Sequence, residues 1–395
     1  MRMIICMNWL KLTSILILST SVAMGAPKKM LLLSLILGLI AFVLDKDRLI
    51  YIRENCFYKT FFNVLILIGG LAIYAKYTNN ENGFRFIVKY FDLLLPVVIV
   101  WIFIGRFSEF IKYSLIGLGI GNIINSMYAI FNWIEKGGRV GGYFGGPNDL
   151  GGILLVLTPF FLYGMYEYWK KGLAYFCGIN LLLVLLCLVI SYCRGAIIGI
   201  SYEMLGFIIL NYYIRNFSSI SLKHVLIFLL WIIGLPILVA FLAARSYDYE
   251  RVLLWIAGYQ MFVDHTLFGV GLTNFNDVYN SSYISPLARE PYLQHPHNVI
   301  LFILAETGLF GFCLFMNLIL DIVKSAFKHI KEYDLKSKKL SLVSAFFIAL
   351  LGVVVHAQVD STPIWRPIRT AMIFVWVLVC VYMCEIKAQK EGNDT

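Results

Sequence analysis

Apolar runs of about 20 residues recur along the whole chain, separated by short polar stretches, as in membrane-spanning helices. About twelve such runs stand out. They lie near 4–25, 30–45, 60–76, 86–105, 109–134, 149–168, 172–192, 195–214, 221–243, 298–323, 340–358 and 367–385. Pro96 and Pro236 fall inside two of them and are tolerated where neighbouring helices re-satisfy the freed backbone groups. The first run, with Arg2 before it and small residues at its end, also reads as a cleaved signal peptide. A first span is preferred because the next run follows almost at once. The one long interruption divides the chain into spans in 1–243, a loop at 244–297 and a final segment at 298–395. Within the loop, Arg251, Trp255, Gly258 and Tyr259 share one helix face, and Val252, Ile256 and Met261 lie on the other. The pattern predicts an all-α polytopic membrane protein with one large loop that carries an amphipathic helix at the membrane surface.

Composition strengthens this reading. Hydrophobic residues make up 60% of the chain, charged residues only 14%, and the mean hydropathy is +0.79. A soluble domain carries about 25% charged residues. The net charge of +10 does not indicate nucleic acid, because the basic residues are scattered over the loops and no nucleic-acid module is visible. Lys and Arg set the orientation instead: with the N-terminus inside, the inner loops hold about 18 of them against about 13 outside. That places both termini in the cytoplasm and 244–297 outside. The eight cysteines fall mostly within apolar runs and read as small hydrophobes rather than a disulfide framework.

Unusual polar residues collect at the outer side of this topology. In "LQHPHNVILFILAETGLFGF" (293–312), Asn298 is a good N-cap for the tenth span, and His297 stands at its mouth. Pro296 favours an extended His295, whose side chain is then expected to point away from that of His297. The pair reads as a polar loop, a His-x-His metal site lacking further ligands, or a catalytic or binding site. Glu306 lies about 12 Å down the same helix. An intramembrane carboxylate should face the bundle interior with a partner, for which Arg194 is a candidate. "GRVGGYFGGPNDLGG" (138–152) places Asn148 before the sixth span, as a helix cap or a site residue. "SYCRGAIIG" (191–199) puts Arg194 between two spans, as an interfacial anchor or an anion ligand. "QVDSTPIWRPIRT" (358–370) supplies Asp360, Arg366 and Arg369, as an ion pair between helix ends or as part of a site. Arginine forks suit phosphate oxygens. Together with a histidine they suggest an anionic lipid-linked substrate and acid/base chemistry.

These motifs, together with "ERVLLWIAGYQMF…LFGVGLTNF", resemble in kind and order those of the bacterial O-antigen ligase and polymerase family, over roughly residues 120–380. The resemblance implies a polytopic inner-membrane enzyme similar to the GT-C class of glycosyltransferases, with its active site facing the periplasm. It implies transfer of a glycan from an undecaprenyl-diphosphate-linked donor, without metal or cofactor. It puts the essential histidine at His297 and the diphosphate-binding arginines at Arg194 and Arg251. From their placement alone, His295, Asn298, Glu306, Asn148, Asp360, Arg366 and Arg369 are candidate supporting residues. In ligases the acceptor is a sugar hydroxyl of lipid A–core; in polymerases it is another lipid-linked repeat. The 358–370 segment and the single large outer loop look more like the ligases. A transporter of lipid-linked glycans is the alternative from another class, but two six-span halves would show internal symmetry, and none is visible.

Overall fold

The computed structural model describes residues 2–44, 58–88, 110–143, 145–215, 248–289, 295–361 and 366–393, and no strand occurs among them. The chain is all-helical. Helices α1 (Arg2–Ala23), α2 (Lys28–Leu44), α3 (Tyr58–Tyr77) and α4 (Glu81–Val88) are followed by α5 (Phe110–Lys136), α6 (Pro147–Glu167), α7 (Gly172–Ser191) and α8 (Arg194–Arg215). After the gap come α9 (Asp248–Asp264), α10 (Val299–His329), α11 (Leu342–His356) and α12 (Arg366–Asn393). Most predicted spans coincide with one of these. The fourth lies largely, and the ninth wholly, outside the described residues. Five of the described helices, α5 to α8 and the one that starts at Val299, are long and apolar enough to cross a membrane. Shorter apolar helices cover 61–77, 342–356 and 368–383.

The centre of the bundle is α6, which packs against α7, α8, α11 and α12. Its apolar residues from Leu150 to Phe161 are buried almost without interruption. Small residues set the spacing, as membrane helices require when packing rather than water drives association. A Cβ on Gly199 of α8 would come within 2.9 Å of the Gly352 carbonyl of α11. One on Gly151 of α6 would come within 2.7 Å of the Ala196 Cβ of α8. The heads of α6 and α8 and the tail of α11 are thereby drawn together at one end.

Helix α10 is broken where the sequence places its carboxylate. Gly308 has φ 59° and ψ −159°, outside helical space. The loop "TLFGVG" docks into the break. Leu309 and Phe310 donate their N–H groups to the carbonyls of Thr266 (2.9 Å) and Leu267 (3.1 Å). Val270 and Gly271 donate theirs to the carbonyls of Ala305 (2.8 Å) and Glu306 (3.0 Å). A break in a membrane helix is tolerated only where protein groups re-satisfy the backbone, and this loop supplies them. The Glu306 carboxylate accepts the main-chain N–H of Phe275 at 3.2 Å and a further main-chain bond from Thr273. Its partner is thus the loop backbone, whereas Arg194 is engaged by Asp248.

Helix α9 forms where the loop pattern places a helix, but its faces are divided differently. Leu253, Leu254, Ala257, Gly258 and Met261 are buried, and α10 is its main neighbour. Val252, Ile256, Tyr259 and Val263 form an exposed apolar stripe. Gly258 and Tyr259 therefore part company. A Cβ on Gly258 would already lie within 3.7 Å of atoms of Phe275, Pro296 and Leu301, so this is the side that the neighbouring chain covers.

Candidate functional site

A polar cleft lies where the heads of α6 and α8 meet the residues after α11. Arg139, Asn148, Arg194, Arg251, His356 and Asp360 line it, with Tyr192 and Cys193 beside them. Each is held by a local device. Pro147 opens α6, its fixed φ suiting a first helical position, and Asp149 Oδ2 accepts the Gly146 N–H at 2.9 Å. Asn148 is therefore held in the first turn of α6. Tyr192 adopts φ 49°, a left-handed conformation that turns α7 directly into α8 and leaves Arg194 as the first residue of α8. Arg194 makes a forked ion pair with Asp248 at the head of α9, Nη1 to Oδ2 at 2.9 Å. Arg251, one turn along α9, donates from Nη1 to the Val359 carbonyl at 3.0 Å.

The mouth of α10 is fastened to the same place. Asn298 caps it as expected, its Oδ1 accepting the Leu301 N–H at 3.0 Å. Its Nδ2 donates to the Gln358 carbonyl at 3.1 Å, and the Val299 N–H donates to the Ala357 carbonyl at 2.9 Å. These bonds bring His297 beside Asp360, with Nδ1 to Oδ2 at 3.7 Å. Asp360 is nearly fully buried and also accepts from Asn148 Nδ2. The buried His297 Nδ1 has no hydrogen-bond partner among the described residues.

His295 departs from expectation. Its ring packs edge-on against that of His297, centroids 4.4 Å apart, and its Nδ1 accepts the His297 N–H at 3.4 Å. The side chains do not alternate because His297 has φ 50°, so the segment is not extended there. Burial, reinforced by the neighbouring His297, lowers the His295 pKa to about 4, while Asp360 opposes the shift. His295 is thus the neutral acceptor that this hydrogen bond requires. At the head of α8, burial pushes the Cys193 thiol up.

The structure brings His297, Asn298, Asn148, Arg194, Arg251 and Asp360 to one end of the bundle, with His295 beside His297. Glu306 lies deeper, at the break in α10. Arg369 is half-buried in the first turn of α12. Arg366 begins that helix, and its side chain lies outside the described part. Sequence reasoning missed Arg139, Asp248, Cys193 and His356. Asp248 stands three residues before Arg251, the only local signal for it. His356 ends an apolar helix like any core histidine. Among the described residues, no group of three or more His, Cys, Asp or Glu side chains is placed to hold a metal ion.

The described residues form an all-helical bundle with helices long and apolar enough to cross a membrane, and a cleft at one end lined by arginines and a histidine. Residues 179–316 match the family model described as O-antigen ligase, a match that supports a member of the O-antigen ligase/polymerase family. The matched segment contains Arg194, Arg251, His297 and Glu306. Arg139 and Asn148 precede it, and Asp360 follows it. No curated protein matches the chain. The matched family implies a ligase- or polymerase-type function in lipopolysaccharide synthesis, a glycosyltransferase-like enzyme, and interaction with a lipid-linked glycan and membrane lipid.

Proposed function

We propose that this chain is an O-antigen ligase of the inner membrane. It moves the glycan from undecaprenyl diphosphate to a sugar hydroxyl of lipid A–core at the periplasmic face. The observation that carries the reading is His297, held at the mouth of α10 beside buried Asp360, which itself lines the cleft shared by Arg194 and Arg251.

A sugar hydroxyl is a weak nucleophile near neutral pH. His297 accepts its proton as the oxygen attacks the anomeric carbon, and Asp360 stabilises the imidazolium that forms. The bond from that carbon to the diphosphate oxygen breaks on the opposite side, so the configuration inverts. Negative charge grows on the departing lipid diphosphate. Arg194 and Arg251 oppose it, the electrostatic contribution that is often the largest in such sites. No metal is needed where two guanidinium groups perform this task. Asp248 holds Arg194 in the free cleft, and a diphosphate competes with it for the same fork.

The test is deletion of the gene followed by gel separation of the glycolipids. Ligase function predicts core without O-chain and accumulation of lipid-linked polymer. Core bearing a single repeat would instead assign polymerase function. A normal ladder would remove both.

A further inference from the structure

Three arginines line the cleft, and charge alone would give all three to the diphosphate. Geometry separates one of them. We infer that Arg139 and Asn148 form a positioning chain that acts through Asp360 on His297, and that Arg139 is not a third diphosphate ligand. The inference rests on the reading of His297 as the general base.

All three guanidinium groups are bonded to protein, and what sets Arg139 apart is that its bond leads through the Asn148 amide to Asp360. Arg139 Nε donates to the Ser191 carbonyl at 3.1 Å, and its Nη2 donates to Asn148 Oδ1. The amide of Asn148 has one accepting end and one donating end. Its neighbours settle which way it points. Only the oxygen can face a guanidinium, and only the NH₂ can face the Asp360 carboxylate, to which it donates. The Cys193 thiol, 3.5 Å from the same amide oxygen, adds a donor on the accepting side. A reversed amide would set donor against donor at one end and acceptor against acceptor at the other.

The chain therefore runs from a cation, through a polarised amide, to a buried carboxylate 3.7 Å from His297 Nδ1. A buried carboxylate needs donors to hold it, and Asn148 supplies one from a helix rather than a loop. The other charged or titratable groups near this pair are His295, Arg251 on α9, His356 on α11, Asp149 on α6 and Cys193 at the head of α8. None of them is altered in the variants below.

The experiment uses the full-length protein in lipid nanodiscs, with a prenyl-diphosphate-linked oligosaccharide as probe. Donor Kd and the pH dependence of kcat are measured separately. Asn148→Leu removes the link and should lower kcat by about 10- to 100-fold, the scale of a misplaced catalytic group. Its donor Kd should stay within about twofold of wild type, since no ground-state contact to the donor is lost. Arg139→Gln can still donate to Asn148 but removes the cation. With less positive charge behind Asp360, the imidazolium of His297 is better stabilised. The base acts as neutral imidazole, so the acidic limb of the kcat profile should move to higher pH. Asn148→Asp, which sets a second carboxylate against Asp360, should move it the same way.

A purely structural role would lower yield or Tm and leave that limb in place. If Arg139→Gln weakened the donor Kd tenfold or more with kcat at saturation unchanged, Arg139 would be a diphosphate ligand and the inference would fall. Should Asn148→Leu fail to fold, Arg139→Gln at its exposed position decides the matter alone. His297→Ala is the control. If it retained wild-type kcat, the base assignment itself would fail. If it were inactive while the Arg139 and Asn148 variants kept the wild-type profile, only the positioning chain would be lost.

Discussion

At the residue scale, the two histidines beside Pro296 carry different work because their surroundings differ. His297 has an unpartnered ring nitrogen beside a buried carboxylate, whereas His295 is a buried, neutral acceptor. General-base assistance is worth about 10²–10⁴-fold, so His297→Ala should lose activity on that scale while donor binding persists. His295→Ala should cost less, acting only through the placement of its neighbour. Loss of donor binding in step with activity in His297→Ala would make that residue a phosphate ligand instead. His295 also predicts a pH effect on stability. Its folded pKa is held at about 4, against an ordinary value of 6.5. Above pH 6.5 both folded and unfolded forms are neutral, and stability is unaffected. As pH falls from 6.5 towards 4, the unfolded chain gains a proton that the folded chain refuses, so stability is lost across that window. Thermal melts of detergent-solubilised protein should show this decline, and His295→Gln should flatten it. An equal decline in both proteins would assign it to other groups.

At the element scale, the break in α10 explains why a carboxylate stands inside an apolar run. Gly308 adopts a backbone conformation open mainly to glycine, and a Cβ there would come within 2.5 Å of the main chain of Leu267 and Phe268. Tyr74 of α3 closes the arrangement from the far side, donating to the Phe268 carbonyl at 2.5 Å. Gly308→Ala should therefore cost at least the 1–3 kcal/mol typical of such strain, roughly, and should loosen the 266–275 loop. The check is a fall in Tm with faster proteolysis within the loop. An unchanged melt would mean that the break is not fixed by this glycine. Glu306→Gln keeps an acceptor for the Phe275 N–H, so it should lose stability or expression more than turnover. A stable, well-expressed and inactive Gln variant would bring Glu306 into the chemistry. Much of this architecture is legible in the sequence. The apolar period marks the spans, and Asn298 is readable as a cap because an N-cap is a local signal. The break is not legible, since its cause is a loop some 40 residues away in the chain that docks largely through backbone bonds, which carry no side-chain signature. The same holds for His297 beside Asp360. Each residue is visible as a polar interruption, but the bonds that bring them together, from the Val299 N–H to the Ala357 carbonyl and from Asn298 Nδ2 to the Gln358 carbonyl, cannot be read from either segment.

At the scale of the whole molecule, the proposed reaction requires one geometry. The donor diphosphate is tethered to the bilayer by its lipid, and the acceptor sugar comes from the outer leaflet of the same membrane, so only helix ends at a single membrane face can serve both. The cleft lies at helix ends on one side of the bundle. It is built from the heads of α6, α8 and α10 and the tail of α11, with α9 laid across it and an exposed apolar stripe along Val252, Ile256, Tyr259 and Val263 suited to the interface. The far end of α10 carries Lys324 and Lys328 and leads to Lys331, Lys336, Lys338 and Lys339, a run of cations for which the positive-inside tendency predicts the cytoplasmic side. Helix α10 thus connects the two faces, with His297 at one end and the lysine-rich segment at the other. Reporter fusions after Ser282 and after Lys338 should then report opposite compartments, periplasm for the first and cytoplasm for the second. Such fusions interrupt the chain only in exposed segments beyond the cleft, so insertion of the preceding helices should proceed normally. A cytoplasmic signal at Ser282 would place His297, Arg194 and Arg251 on the face from which a periplasmic lipid-linked donor cannot be reached. The ligase reading would then fail, whatever the activity of the point variants.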